Sequence, residues 1–354
     1  MTELHLWLRH EVRSTERRTP LVPSDARRLV DAGVRLTVEE SPQRIFPIEQ
    51  YEAVGCAVAP AGSWATEAPP DAVVVGLKEL PDEPGTLIHR HLFFGHAYKR
   101  QPGAAELLRR FAAGGGALLD LEYLVDDQGR RLAAFGYWAG YLGAALAVLQ
   151  HRGRLVAPLV PTSQEALEEV LRPVAGDEEF AALVIGALGR SGRGARVALR
   201  AAGVEPTCWD LDETRNLDRP ALLAHDVLVN CVLATSPVPP FVREEDLDVP
   251  SRRLRTLSDV TCDVGSPLNV LPVYDRVTEW DDPVRRLHKE PPLDLIAIDN
   301  LPSLLPEESS TDFSASLLPL LLEFGTGGPW GRCLERFHQA CRELGITERG
   351  SLGV

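Results

Sequence analysis

Over the first third of the chain, short apolar runs alternate with stretches whose apolar positions recur every three or four residues. "LHLWLRH" (4–10), "VRLTVEES" (34–41), "DAVVVGLK" (71–78), "LFFGHAY" (92–98) and "ALLDLEYL" (117–124) have the length and content of buried strands. Between them, "SDARRLVDAG" reads as a helix capped by Ser24, facing inward through Leu29 and Val30 and ended by Gly33; "AAELLRRFAAGGG" reads as another. Strands alternating with helices predict an α/β fold with a parallel sheet covered on both faces. The run 137–150, "YWAGYLGAALAVLQ", is apolar on every face and predicts a long buried helix, expected to bridge two domains. "HRGRLVAPLVPTS" reads as a loop, and "QEALEEVLRPVAG" as an exposed helix.

A second series starts at 181. "AALVIGALGRSGRGARVALRAAGVEPTCWDLDE" gives strand, glycine-rich turn, helix and strand within about thirty residues, as a βαβ unit requires. Further strands are expected at "DVLVNCVL", "RTLSDVT" and "LDLIAIDN", and helices at "SASLLPLLLEFG" and "WGRCLERFHQACRELG". The expected organisation is two Rossmann-like domains with an active-site cleft between them. Residues 1–135 with 308–354 would form a substrate domain, and 136–307 a nucleotide domain.

Composition narrows the classes of function. The chain has 354 residues, enough for two cores, and a formal charge of −14, which leaves no basic excess for nucleic acid. Its six cysteines lack a C-x-x-C pair or a dense framework, fitting reduced thiols. "MTELHLWLRHEVRS" has no secretory pattern, and no run of apolar residues is long enough for a membrane span. A cytoplasmic protein acting on small molecules, monomeric or a weak homo-oligomer, is the expectation.

The glycine turn carries the first chemistry. Gly186, Gly189 and Gly192 depart from G-x-G-x-x-G because position 188 is not glycine, yet each has a role. Gly186 permits the tight turn, Gly189 lets a pyrophosphate approach the backbone, and Gly192 lets the helix pack closely. The helix then offers its positive end to phosphates. Asp210 closes the next strand, where an acid holds a ribose hydroxyl and repels a 2′-phosphate, so NAD is expected over NADP.

Two strand ends deliver ionisable groups: "VVVGLKE" ends in Lys78 and "FGHAYK" contains His96. Each alone has an ordinary explanation, a strand-end lysine and a structural histidine. Together they suggest a site, because ligands of open α/β sheets bind outside the carboxyl ends of strands. Arg130 and Arg131 in "QGRR", like Arg17 and Arg18, are forked donors suited to a carboxylate. No His/Cys/Asp cluster has metal-ligand spacing, and no G-x-S-x-G elbow occurs. The residues alone define an NAD-binding oxidoreductase for an anionic substrate.

Several longer stretches carry a resemblance: "LRHEVRSTERRTPLVP", "PAGSW", "VGLKELP", "FGHAYK", "DLEYLVDDQGRRLAAFG", "VIGALGRSGRG", "SPLNVLP" and "IDNLPSLLP". In these the chain resembles the NAD-dependent, lysine-forming saccharopine dehydrogenases, relatives of alanine dehydrogenase and the transhydrogenase nucleotide domains. The resemblance implies interconversion of saccharopine, NAD and water with lysine, 2-oxoglutarate and NADH. It makes Lys78 and His96 an acid–base pair surrounded by Glu16, Glu79 and Glu122. It assigns Arg18, Gln101, Arg131, Phe135, Thr261, Cys262 and Asp263 to the substrate. To the dinucleotide it assigns Arg130, Gly189, Arg190, Asp210, Thr214, Val260, Ile298, Asp299, Asn300 and Leu301, beside Gly186, Ser191 and Gly192 of the turn.

Departures from the family pattern are visible. Ser191 stands where some relatives carry a cysteine, which excludes a disulfide to Cys231. Leu233 replaces an aromatic, Cys262 a smaller residue, and the 151–178 linker is shorter than in fungal relatives. Two alternatives remain at this point: an opine-type dehydrogenase joining 2-oxoglutarate to another amine, and a non-catalytic NADH-binding regulator.

Overall fold

Leu6, Trp7 and Leu8 of "LHLWLRH" are buried on both faces, as are Val73, Val74 and Val75 of "DAVVVGLK". Strands covered on both sides become continuous apolar runs, and such strands assemble into parallel sheets. The computed structural model describes residues 4–98, 103–234, 236–325 and 327–348. It divides into two units, Met1–Ala134 with Ser309–Val354, and Phe135–Glu308.

The first unit contains β1 (His5–Leu8), β2 (Arg35–Glu39), β3 (Ala57–Ala59), β4 (Val73–Val75), β5 (Arg90–Phe93) and β6 (Ala117–Asp120). They form one sheet in the order β3-β2-β1-β4-β5-β6, with every pairing parallel. The direction of strand addition reverses at β1 and β4, the switch point where open sheets bind ligands. The helix Gly328–Glu343 buries Cys333, Phe337 and Cys341 in this unit's core. The helix Pro306–Leu322 is tied down by polar contacts: Ser310 Oγ accepts the Thr19 N–H at 3.0 Å, and Ser314 Oγ accepts that of Val22 at 3.1 Å.

The second unit contains β7 (Ala182–Ile185), β8 (Thr207–Trp209), β9 (Val227–Asn230), β10 (Thr256–Asp259), β11 (Arg285–Lys289) and β12 (Pro292–Ile296), in the order β11-β12-β10-β9-β7-β8. All neighbours pair in parallel except β11 with β12. The helix Gly136–His151 belongs to this unit and begins directly after the boundary at Ala134. It is apolar all round because its small residues admit close neighbours: a side chain on Gly140 would collide with the backbone of Ser191, and one on Gly143 with Val260 at 2.6 Å.

Three local expectations differ. The first long helix runs Pro23–Asp31 with Val22 at its N-cap and no side-chain cap, so Ser24 lies inside the first turn. Residues 164–171 form a helix capped by Ser163, and it is amphipathic, with Leu167 and Leu171 buried. Strands β3 and β11 add to the expected set.

Candidate active site

The chain leaves β1, β4, β5 and β6 at one edge of the first sheet, and each exit contributes a charged group. Beyond the formal strands the backbones stay in register: Gly76 N–H donates to Leu92 O at 2.9 Å and Phe94 N–H to Leu77 O at 3.1 Å. Lys78 and His96 therefore follow neighbouring, hydrogen-bonded strand extensions. The Lys78 turn is held from beneath by Glu11, whose carboxylate accepts the backbone N–H of Leu77 at 2.6 Å and of Lys78 at 3.0 Å. Arg9, also buried, lies 3.2 Å from Glu11 Oε2 and donates to the Lys78 carbonyl. Burial pushes the Glu11 carboxyl up, against the pull of Arg9.

Glu16 and Arg18 form a buried, two-pronged pair, with Nε to Oε1 at 2.8 Å and the second prong at 2.6 Å. Burial alone would raise the Glu16 carboxyl; Arg18, aided by Lys78, outweighs it and holds that group below its ordinary value. Lys78 thus faces a fixed negative charge. Glu79 turns outward to Arg13 at 3.0 Å.

His96 leaves β5 with φ of 48°, in the left-handed region that non-glycine residues seldom occupy. Its ring is about half exposed (51%), and Nδ1 lies 3.3 Å from Glu122 Oε2. The other Glu122 oxygen accepts from Arg131 at 2.6 Å. Glu122 sits on a 3-10 turn, Leu121–Tyr123, immediately after β6. Arg131 returns to Glu122 because the chain doubles back from Val125, which bridges Arg131, through the Gly129 turn at φ 76°. Arg130 points elsewhere, to Asp126 at 2.8 Å, and is exposed. The first unit thus gathers Lys78, Glu16, Arg18, and the His96–Glu122–Arg131 chain on its sheet edge. Gln101 lies outside the described residues.

In the second unit the glycine turn follows β7. Gly186 has φ of 80°, and a side chain there would come within 2.9 Å of Val232. Gly192 packs against the turn itself, on Gly186 O and Ala187. Gly189 is the exposed N-cap of the helix Arg190–Ala201, which has no side-chain cap and no acid in its first turn. Its leading N–H groups, with Arg190 and Ser191 at the first two helical positions, fit a diphosphate. Asp210 Oδ2 accepts the Leu188 N–H at 2.9 Å, which ties the acid to the turn. Thr214 Oγ1 donates to Asp210 O at 2.7 Å.

Thr261, Cys262 and Asp263 follow β10 on a loop organised by buried Asp259. One oxygen of Asp259 accepts from Asn230 at 3.0 Å and from the Thr261 hydroxyl at 2.8 Å; the other accepts from Tyr274 at 2.7 Å. Cys262 has φ of 50°, and burial, with Asp259 and Asp299 nearby, pushes its thiol well up. Val260, Ile298 and Leu301 pack into the core of this unit, Asn300 binds Ser303 at 2.7 Å, and Asp299 is exposed. Phe135 is the N-cap of the helix Gly136–His151.

Sequence reasoning missed Arg9, Glu11, Asp120 and Asp259. Each is a buried charge at a strand end; Glu11 reaches Leu77 across 66 positions and Asp259 reaches Asn230 across 29, whereas Asp120 caps its own turn at Glu122. The available signal was only a charged residue directly following an apolar run.

The architecture is that of a known class. The chain superposes on an L-alanine dehydrogenase with a TM-score of 0.69 at 17% identity, covering 95% of this chain and 94% of that one, a likeness of fold. The profile of "Alanine dehydrogenase/PNT, N-terminal domain" matches residues 7–142. At closer range, a Schizosaccharomyces pombe protein is 41% identical over 344 residues, covering 91% of this chain and 93% of its own. One from Emericella nidulans is 41% identical over 371 residues, covering 97% and 98%. Both are saccharopine dehydrogenase (NAD(+), L-lysine-forming). The chain belongs to the saccharopine dehydrogenase family.

Proposed function

We propose that the protein interconverts saccharopine, NAD and water with L-lysine, 2-oxoglutarate and NADH. The carrying observation is the placement of Lys78 and the His96–Glu122–Arg131 chain on neighbouring strand exits of one sheet, supported by relatives of that name over nearly the whole length. NAD supplies a hydride acceptor, and the uncapped helix after Gly189 with the nearby acid Asp210 would hold its diphosphate and ribose.

The chemistry explains the residue types. The secondary amine of saccharopine can be oxidised only with its nitrogen lone pair free, so a base must first take its proton. Water then adds to the imine, and the carbinolamine collapses as the departing lysine nitrogen is protonated. Lys78, beside ionised Glu16, and His96 are the groups that move these protons. Glu122, whose Oε2 lies 3.3 Å from Nδ1, would orient the imidazole and leave Nε2 for exchange. Arg131 and Arg18 supply positive charge for the substrate carboxylates, each already steadied by a glutamate. Thr261, Cys262 and Asp263 would complete the substrate contacts.

The test is NADH consumption with 2-oxoglutarate and a panel of lysine, ornithine and alanine. Lysine should be preferred by a wide margin. Equal rates with another amine would replace this reading with a different opine-forming reaction.

A further inference from the structure

Asp120 has no part in the chemistry above, yet its carboxyl is completely buried at the end of β6. Oδ1 accepts the backbone N–H of Glu122 at 2.9 Å and caps the turn Leu121–Tyr123. Oδ2 is equally buried and outside hydrogen-bond geometry among the described residues, and the carboxyl is further steadied by the nearby backbone N–H of Gly95, on the loop that carries His96. Burying a carboxyl so poorly satisfied is costly. The groups around it are Glu122 on its own turn, His96 and Tyr98 on the loop after β5, and Cys333 on the helix Gly328–Glu343. Burial, reinforced by the charge of Glu122, pushes the Asp120 carboxyl up to about 6.

We propose that Asp120 is a positioning residue: by capping the turn, it aims the Glu122 carboxylate at Nδ1 of His96 and so directs Nε2 to the reacting nitrogen. Strand register makes this possible. Phe93 of β5 stands opposite Asp120 of β6, and the two chains then part into the loops that carry His96 and Glu122. With the cap made, the chain turns at once and brings Glu122 back beside His96, three residues past Phe93. His96 itself sits in a backbone conformation that only its surroundings maintain. A lost cap would release the turn and leave the imidazole without a fixed partner.

The inference rests on the role given to His96, but its test does not need turnover. Nitrogen NMR of the His96 ring, assigned with His96→Gln, reads its tautomer at a pH above about 8, where a free imidazole is neutral. The unaltered protein and Asp120→Asn, which keeps the acceptor oxygen, should both hold the proton on Nδ1. Folded Asp120→Ala should show a mixture of tautomers. With lysine and 2-oxoglutarate, Asp120→Ala should lose about tenfold or more in kcat at unchanged KM for NADH, and Asp120→Asn much less. Should Asp120→Ala not fold, Asp120→Val removes the same acceptor with less loss of volume. A single Nδ1–H tautomer in the folded Ala or Val variant overturns the proposal, as does a mixture in Asp120→Asn. An inactive unaltered protein with the expected tautomer pattern would instead refute the proposed reaction and leave this positioning role standing.

Discussion

Glu11 holds the backbone of Lys78: its carboxylate accepts the Lys78 N–H at 3.0 Å and the preceding N–H, of Leu77, at 2.6 Å. The side chain proposed to move protons is thereby carried on a turn fixed by a buried acid from the neighbouring strand exit. Glu11→Ala would leave two buried N–H groups and Arg9 without that acceptor. We predict a loss of about 2–4 kcal/mol in unfolding free energy, measured by denaturant titration, since removing one partner of a buried charged pair exposes the other's desolvation cost. An unchanged midpoint would mean that the turn holds itself.

His96→Gln should lower turnover by roughly 10²–10⁴-fold while leaving NADH affinity nearly unchanged, as removal of a proton-transfer group does. Lys78→Met should behave alike. The double variant should lose less than the product of the two, because groups acting as one unit are not additive. Steady-state rates and NADH titration on folded proteins give both quantities. Turnover within a few-fold of the unaltered protein would make His96 structural.

Asp210 predicts cofactor choice. Its carboxylate, tied to the Leu188 N–H beside the glycine turn, would face a 2′-phosphate. NAD(H) should exceed NADP(H) by about 10²-fold or more in kcat/KM, and Asp210→Ser should narrow the ratio. Equal kcat/KM for the two dinucleotides in the unaltered protein would contradict the assignment.

His91 predicts acid lability. Its ring is fully buried between Trp64, at 5.0 Å, and Phe111, at 5.3 Å, and neither nitrogen has a hydrogen bond among the described residues. Burial, then Arg9, lowers its pKa well below 6.5. Below that value the unfolded chain takes up a proton that the folded chain refuses. The stabilisation is present above pH 6.5 and is lost as pH falls. His91→Leu should flatten the pH dependence of unfolding free energy in that acid range by about 1.4 kcal/mol per pH unit. Parallel curves for the two proteins would show that His91 accepts its proton while folded.

The central strands were legible because burial on both faces leaves an apolar signature in the chain itself. β3 lacked it, being three residues with Ala57 and Val58 exposed, and so did β11, "RRLHK", whose polar side chains suit an antiparallel edge. The helix Gly136–His151 was legible as buried. Which elements it packs against was not, because that depends on where Gly140 and Gly143 meet other elements. In the candidate site, Lys78 and His96 stood out by ending apolar runs. Glu11 and Asp259 work through partners distant in sequence, Leu77 with Lys78 and Asn230 with Tyr274, and no local spacing records such pairings. Asp120 binds only two residues on, but nothing in an apolar run marks its carboxyl as a cap.

In the proposed reaction, NADH delivers hydride to the imine formed between lysine and 2-oxoglutarate. Its most direct test uses NADH deuterated at the transferred position, with lysine and 2-oxoglutarate, and mass spectrometry of the product. Saccharopine one mass unit heavier, with deuterium on the glutaryl α-carbon, is expected to form as NADH is consumed. NADH consumed without that adduct, or no consumption by folded protein, would contradict it.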